Sequence, residues 1–263
     1  MTNEITSANN SRVKQWAQLL SKKGRDEQNK YVIEGTHLVQ EALHSDEPVE
    51  TILYSLDREL PTELQEWHGA GSTEWIAVTE AVLSKVTDTR TPQGIAAIVS
   101  KKELGAEPLL SQPDGLVVVV DGIQDPGNLG TIIRVADAAG ATGVVLGRGT
   151  VDLYNPKTVR ATMGSLFHLP VVHAELVPFL RAAGEQGIQL LNTSLDAQES
   201  CYETDFKQAT WIIVGNEGAG VSDEVSRLAN RNVLIPMRGR AESLNVAMAT
   251  TVLLYEALRQ RSC

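Results

Sequence analysis

The chain is expected to be an α/β protein built on a mostly parallel sheet, preceded by a smaller α/β domain. Three observations predict this. From Gly115 onward, short apolar runs alternate with helical patterns, the arrangement that covers both faces of a parallel sheet. Residues 101–114 break that periodicity with charged ends, Gly105, Pro108 and Pro113, which marks a boundary. Three glycine-bearing polar turns follow apolar runs in the later part of the chain, at strand ends where open α/β sheets bind ligands.

In the front domain (1–105), Val13, Trp16, Ala17 and Leu20 recur at helical spacing, with Arg12 and Lys14 off the stripe. Residues 31–33 read as a strand, and Gly35 leads into a helix through Leu38, Val39, Ala42 and Leu43. Strands are expected at 51–54, 75–78 and 94–99, with Thr79 capping a short helix that holds Val82 and Leu83. After a linker at 106–114, the domain 115–263 should carry strands at 115–120, 143–146, 169–172, 188–191, 210–214 and 233–235. Helices are expected at 129–139, 155–167, 177–184, 222–230 and 245–259.

Composition narrows the function classes. At 263 residues with 42% hydrophobic content, the chain can bury an ample core and is not disordered. Its two cysteines, Cys201 and Cys263, form no CxxC and suit a reducing compartment. The first residues lack the apolar stretch of a signal peptide and no run is long enough to cross a bilayer, so a cytoplasmic protein with no membrane partner is expected. The five histidines (His37, His44, His68, His168, His173) have no ligand-like spacing, and no metal is expected. The net charge of −10 repels nucleic acid at long range, yet Arg12, Lys14, Lys22, Lys23, Arg25 and Lys30 cluster near the start. Arg231, Arg238 and Arg240 flank the last glycine-bearing loop. Such clusters read equally well as solvated faces, so composition leaves an RNA partner open.

The chemistry-bearing residues fall in three groups. The first, 121–134, leaves a buried strand and enters a helix. Asn128 can cap that helix, while Gly130, Arg134 and Asp137 fall beside the apolar stripe of Leu129, Ile132, Ile133 and Ala136. The second, Gly215-Asn216-Glu217-Gly218, is a glycine turn carrying a carboxylate. It lacks the Lys-Ser/Thr ending of a phosphate loop and the spacing of a dinucleotide fingerprint, which argues against an oxidoreductase. The third, Ser243-Leu244-Asn245, opens an apolar final helix expected to be buried, with Ser243 as a credible cap.

At these residues the chain resembles the SpoU (TrmH-like) branch of the SPOUT class of S-adenosylmethionine-dependent RNA 2′-O-ribose methyltransferases. The match runs through Asn128-x-Gly130-x-x-x-Arg134, Gly215-Asn216-Glu217-Gly218 and Ser243-Leu244-Asn245-Val246. The first hundred residues resemble an L30e-like RNA substrate-binding domain, through Asn10, Val13-Lys14, Lys22-Lys23-x-Arg25 and Ile33-Glu34-Gly35. The resemblance implies a C-terminal trefoil knot, which general topology rules would exclude. It implies adenosine contacts at the backbone of Gly215, Ile235 and Leu244, with Thr193, Asn216, Gly218 and Met237 close by. It implies a homodimer, with Arg134 facing the partner's cofactor pocket, and RNA contacts at Arg12, Lys14, Lys22, Lys23 and Arg25.

The catalytic set expected on that basis is Arg134, Asn128, Glu217, Ser243 and Asn245. A guanidinium is a poor base, since its pKa exceeds about 12, so Arg134 is read as orienting the ribose and neutralising developing charge. Glu217 is expected to hold Arg134 or accept the proton. Asn128, Ser243 and Asn245 would order the loops and hydrogen-bond the ribose. Ribosomal RNA is the expected substrate and transfer RNA the second choice. A non-catalytic RNA-binding assembly factor on the same scaffold is the rival, and base methylation is disfavoured by the Ser-Leu-Asn ending.

Overall fold

The computed structural model describes residues 3–69, 71–89 and 91–262 of the chain, so Cys263 lies outside the described residues. Two compact units are present: one joins residues up to Glu103 with Asp152–Phe167, the other joins Leu104–Val151 with residues from His168.

In the first unit, strand β1 (Glu4–Ile5) precedes helices α1 (Ser11–Gln18) and α2 (Lys22–Gln28), then β2 (Lys30–Glu34), α3 (Thr36–His44), β3 (Val49–Ser55), β4 (Glu74–Val78), α4 (Glu80–Val86) and β5 (Ile95–Ser100). The sheet order is β1-β4-β3-β5-β2, parallel at β1/β4 and β3/β4 and antiparallel where β5 pairs β2 and β3. Asn10 caps α1 by accepting from Arg12 N, and Ser21 caps α2 by accepting from Gly24 N. The helix expected from the stripe Val13 to Leu20 is α1, and Ser21 starts a second helix beyond it that the sequence reading did not include. Thr79 occupies the cap position of α4 without a side-chain cap bond; its hydroxyl donates to Thr6 O instead. One face of the sheet packs Val13, Trp16 and Leu19 on Leu53, Ile76 and Ile98, and the other packs Tyr31, Leu38 and Ile52 with Val159.

The second unit opens with α5 (Glu107–Leu110), whose Leu109 packs in the core with Ala106, so this stretch is not a free linker. It continues through β6 (Leu116–Asp121), α6 (Pro126–Ala138) and β7 (Gly143–Leu146). Helix α7 (Pro156–Thr162) belongs to the first unit, although the sequence reading places it inside 115–263. It is shorter than the expected 155–167 because Met163 turns left-handed at φ 52° and ends it. The second unit resumes with β8 (Val171–His173), α8 (Leu176–Glu185), β9 (Gln189–Thr193), β10 (Glu199–Ser200), β11 (Thr210–Gly215), α9 (Asp223–Ser226), β12 (Arg231–Leu234) and α10 (Val246–Arg261). The sheet order is β10-β12-β9-β11-β6-β7-β8, with every pairing parallel. β6 and β11 are its centre: Val117 to Val120 and Trp211 to Val214 are buried on both faces. All parallel strands end on one edge, which brings the loops after β6, β9, β11 and β12 together. Among the described residues no helix is long and apolar enough to cross a membrane.

Candidate functional site

The loop after β6 is shaped by Asp125, whose side chain accepts from Asn128 N and caps α6, with Pro126 at its first position. Asn128 therefore lies in the first helical turn and does not cap it. That frees its amide to bridge two other loops: Asn128 Nδ2 donates to Glu217 Oε1 at 2.9 Å, and Asn245 Nδ2 donates to Asn128 Oδ1 at 3.0 Å. Ser243 is likewise not the cap of the last helix. Asn245 takes that position, accepting from Ala247 N and Met248 N.

Glu217 is the hub of the second loop. Its carboxylate accepts from Gln124 N and Asp125 N, both at 3.1 Å, in addition to Asn128. Burial pushes its carboxyl up, but the hydrogen bonds from Asn128 and from the backbone of Glu217, Gln124 and Asp125 hold it below the ordinary 4.5. Asn216 Nδ2 donates to Gly122 O at 2.9 Å, while its Oδ1 accepts from Gly218 N and Ala219 N. Ser222 N donates to Asp121 Oδ2 at 2.8 Å. The first and second loops are thus stitched together by side chains of both. The turn itself needs glycine at 215: a Cβ there would stand 2.1 Å from Gly220 C and from Val221 N.

The loops after β9, β11 and β12 surround a cavity of about 390 Å³. Thr193, Gly215, Asn216, Glu217, Gly218, Ile235, Met237, Ser243, Leu244 and Asn245 all line it, which unites every cofactor residue and three catalytic residues of the sequence reading. Val246, Ala249 and Leu253, on the first turns of α10, complete one wall and were missed; their place within an apolar helix gave no polar signal. Also missed were the donors Gln124 N and Asp125 N, for which the Asp-Pro helix start was the available signal.

Arg134 is not among the lining residues. It is exposed on α6 and, among the described residues, makes no hydrogen bond or ion pair. The expected Glu217–Arg134 pair is not formed in the chain, because all of the bonds made by the Glu217 carboxylate go to the first loop. Gly130 is buried. Nor is α10 buried all round, since Met248 and Tyr255 are about half exposed, at 52% and 49%.

Of the basic residues expected to meet RNA, Lys14, Lys22 and Lys23 are exposed, the last at 3.7 Å from Glu27. Arg12 forks onto Glu74 and lies 4.9 Å over the Trp16 ring. Arg25 is a correction: it is 2% exposed, and its guanidinium bonds Leu19 O at 2.8 Å and Asp152 Oδ2 through Nε at 2.9 Å and Nη2 at 2.5 Å. A side chain so enclosed is spent on structure. Among the described residues no group of three or more His, Cys, Asp or Glu is arranged to hold a metal ion.

Comparison with known proteins fits this geometry. Residues 115–255 match the SpoU rRNA Methylase family and residues 10–97 the MRM3-like substrate binding domain. A 23S rRNA (guanosine(2553)-2′-O)-methyltransferase, RlmP of Bacillus subtilis (strain 168), is 41% identical over 96% of this chain and 98% of its own length. A 23S rRNA (uridine(2479)-2′-O)-methyltransferase of Streptomyces viridochromogenes is 36% identical over 98% of this chain and 92% of its own. The crystal structure of an AdoMet-bound rRNA methyltransferase from Sinorhizobium meliloti superposes with a TM-score of 0.89 at 36% identity, covering 98% of each chain. With both of its domains matched and relatives aligned over nearly its whole length, the chain in which Asn128 ties Glu217 to Asn245 belongs to the SpoU family of rRNA methylases.

Proposed function

We propose that this chain is an S-adenosylmethionine-dependent methyltransferase that modifies a ribose 2′-hydroxyl of ribosomal RNA, acting in the cytoplasm as a homodimer. The observation that carries the proposal is the meeting of three sequence-distant groups: the second and third line one cavity of about 390 Å³, and Asn128 of the first bonds to both of them. That size lies within the range of small-molecule sites, about 300–1,000 Å³. Its chemistry suits the cofactor. Ile235, Met237, Leu244 and Leu253 offer apolar surface to an adenine ring, and Gly215 and Gly218 bring main chain without side chains to the same cavity. Met237 and Leu244 are 36% and 41% exposed, apolar surface that a flat heterocycle would cover.

When bound, S-adenosylmethionine supplies a methyl group on a good leaving group, the sulfonium. The residues then have to position a ribose oxygen and stabilise the charge that develops on it. Glu217 serves as an organiser of the first loop, since a carboxylate with a lowered pKa and three donors is a poor proton acceptor. Asn128 and Asn245 hold the third loop to the first, and Ser243, on the cavity wall, is left to meet the ribose. Arg134 orients the sugar and neutralises the developing alkoxide from the partner subunit of the homodimer. Its absence from the lining of its own chain's cavity and its lack of a partner among the described residues support that reading. So do Met248 and Tyr255, seven residues apart on one face of α10 and unburied in the single chain. Lys14, Lys22 and Lys23 of the N-terminal domain are the proposed RNA contacts, and the trefoil knot belongs to the same reading.

The test is transfer of a labelled methyl group to 23S and transfer RNA, followed by mapping of the modified ribose. A 2′-O-methyl nucleotide in 23S RNA that needs Arg134 is the expected result. Absence of both cofactor binding and transfer by folded protein would overturn the proposal, and RNA binding without transfer would fit a non-catalytic factor instead.

A further inference from the structure

At the far end of α10 from the cavity, the Arg261 guanidinium is spent on main chain. Its Nε, Nη1 and Nη2 each donate at 2.7 Å, to Phe206 O, Asp114 O and Gln208 O respectively. Asp114 lies two residues before β6 and Gln208 two residues before β11. Gln260 adds a reciprocal pair, with Nε2 donating to Thr204 O and Oε1 accepting from Phe206 N, both at 2.9 Å. Five bonds therefore tie the last turn of α10 to the segments that open the two central strands.

The opposite ends of those strands carry the site. β6 runs into the loop that holds Asn128, and β11 ends at Gly215, paired with Asp121. The α10 cap Asn245 bonds Asn128 there. Sixteen helical residues span about 24 Å at ~1.5 Å each. Six strand residues span about 20 Å at ~3.3 Å each. The helix is therefore a strut as long as the strands it lies along, pinned at both ends. Its first turns carry cavity residues Val246, Ala249 and Leu253, so its axial position fixes one wall.

We propose that Arg261 is a positioning residue for the cofactor cavity, holding α10 in register with β6 and β11 so that Asn245 and the residues after it close the wall. The inference rests on the reading of the cavity as the S-adenosylmethionine site. It separates Arg261 from neighbouring Arg259, which forks onto Glu256 of its own helix. The guanidinium fits the role because its planar fork satisfies three carbonyls at once, which a lysine ammonium on a flexible stem does not reproduce.

The experiment is calorimetry with S-adenosylmethionine on the full chain and on Arg261→Ala, Arg261→Lys and Gln260→Ala, with steady-state kinetics on 23S RNA. Arg261→Ala should weaken cofactor binding about tenfold and raise the cofactor KM equally, with kcat at saturating cofactor and the RNA KM within twofold of the parent. Arg261→Lys should recover part of the loss, and Gln260→Ala should shift binding in the same direction by less. Ile76→Val, in the core of the first unit, lowers stability without touching α10 and should leave cofactor binding unchanged. If Arg261→Ala does not fold, the other two variants decide. Parent-like cofactor binding in every folded Arg261 and Gln260 variant overturns the inference. Failure of the parent itself to bind cofactor overturns the reading on which it rests.

Discussion

Replacing Arg25 by alanine should destabilise the first unit by about 3–5 kcal/mol, the usual cost of removing one partner from a buried ion pair. The size follows from what is stranded. Arg25 and Asp152 side chains are 3% and 13% exposed, and Asp152 Oδ2 loses two donors while Leu19 O loses one. Water reaches the abandoned carboxylate poorly, so most of its desolvation stays uncompensated. Three of the four tryptophans, Trp16, Trp67 and Trp75, lie in this unit, so their fluorescence follows its unfolding in urea. With a slope of about 2–3 kcal/mol per molar, the midpoint should fall by roughly 1–2.5 M. Removing both charges, in Arg25→Ala with Asp152→Ala, should recover part of the loss because no lone charge is then left inside. A variant as stable as the parent within about 1 kcal/mol, yet deficient in RNA binding, would refute the reasoning and return Arg25 to the RNA-binding surface.

Three other outcomes are expected. Gly215→Ala should abolish cofactor binding by calorimetry and cost about 1–3 kcal/mol or more, because the new methyl meets the backbone of Gly220 and Val221, which cannot yield as a side chain would. Arg134→Ala should melt within about 0.5 kcal/mol of the parent, as expected for an exposed residue without partners among the described residues, while methyl transfer to RNA is lost. Glu217 carries a lowered pKa, so its contribution is complete above the ordinary 4.5 and disappears as pH falls through the lower folded-state value. Unfolding free energies measured from pH 6 to 3 should therefore fall less steeply for Glu217→Gln than for the parent, and parallel slopes would contradict this.

Much of the fold was legible because the central strands are continuous apolar runs. Residues 116–120 and 211–214 have no other stable place than the middle of a sheet buried on both faces. The cavity was legible too, since glycine turns and polar groups at strand ends have few purely structural uses. What escaped depended on partners distant in sequence. Arg25 sits in a lysine-rich stretch and looks solvated until Asp152, 127 residues later, is placed beside it. Asn128 and Ser243 both satisfy the composition rule for a cap, but Asp125 and Asn245 occupy those positions. The pattern of α10 was apolar on most sides, and sequence cannot say which side remains open in a single chain.

The placement of Asp152–Phe167 has a practical consequence for dissecting this protein. A fragment ending near residue 105 would lack Val159 and the Tyr154 ring that rests 4.5 Å from Tyr31, uncovering part of one sheet face. It would also strand Arg25 without its carboxylate. No single cut in the chain separates the two halves intact; an expressible front fragment requires grafting the later segment back on.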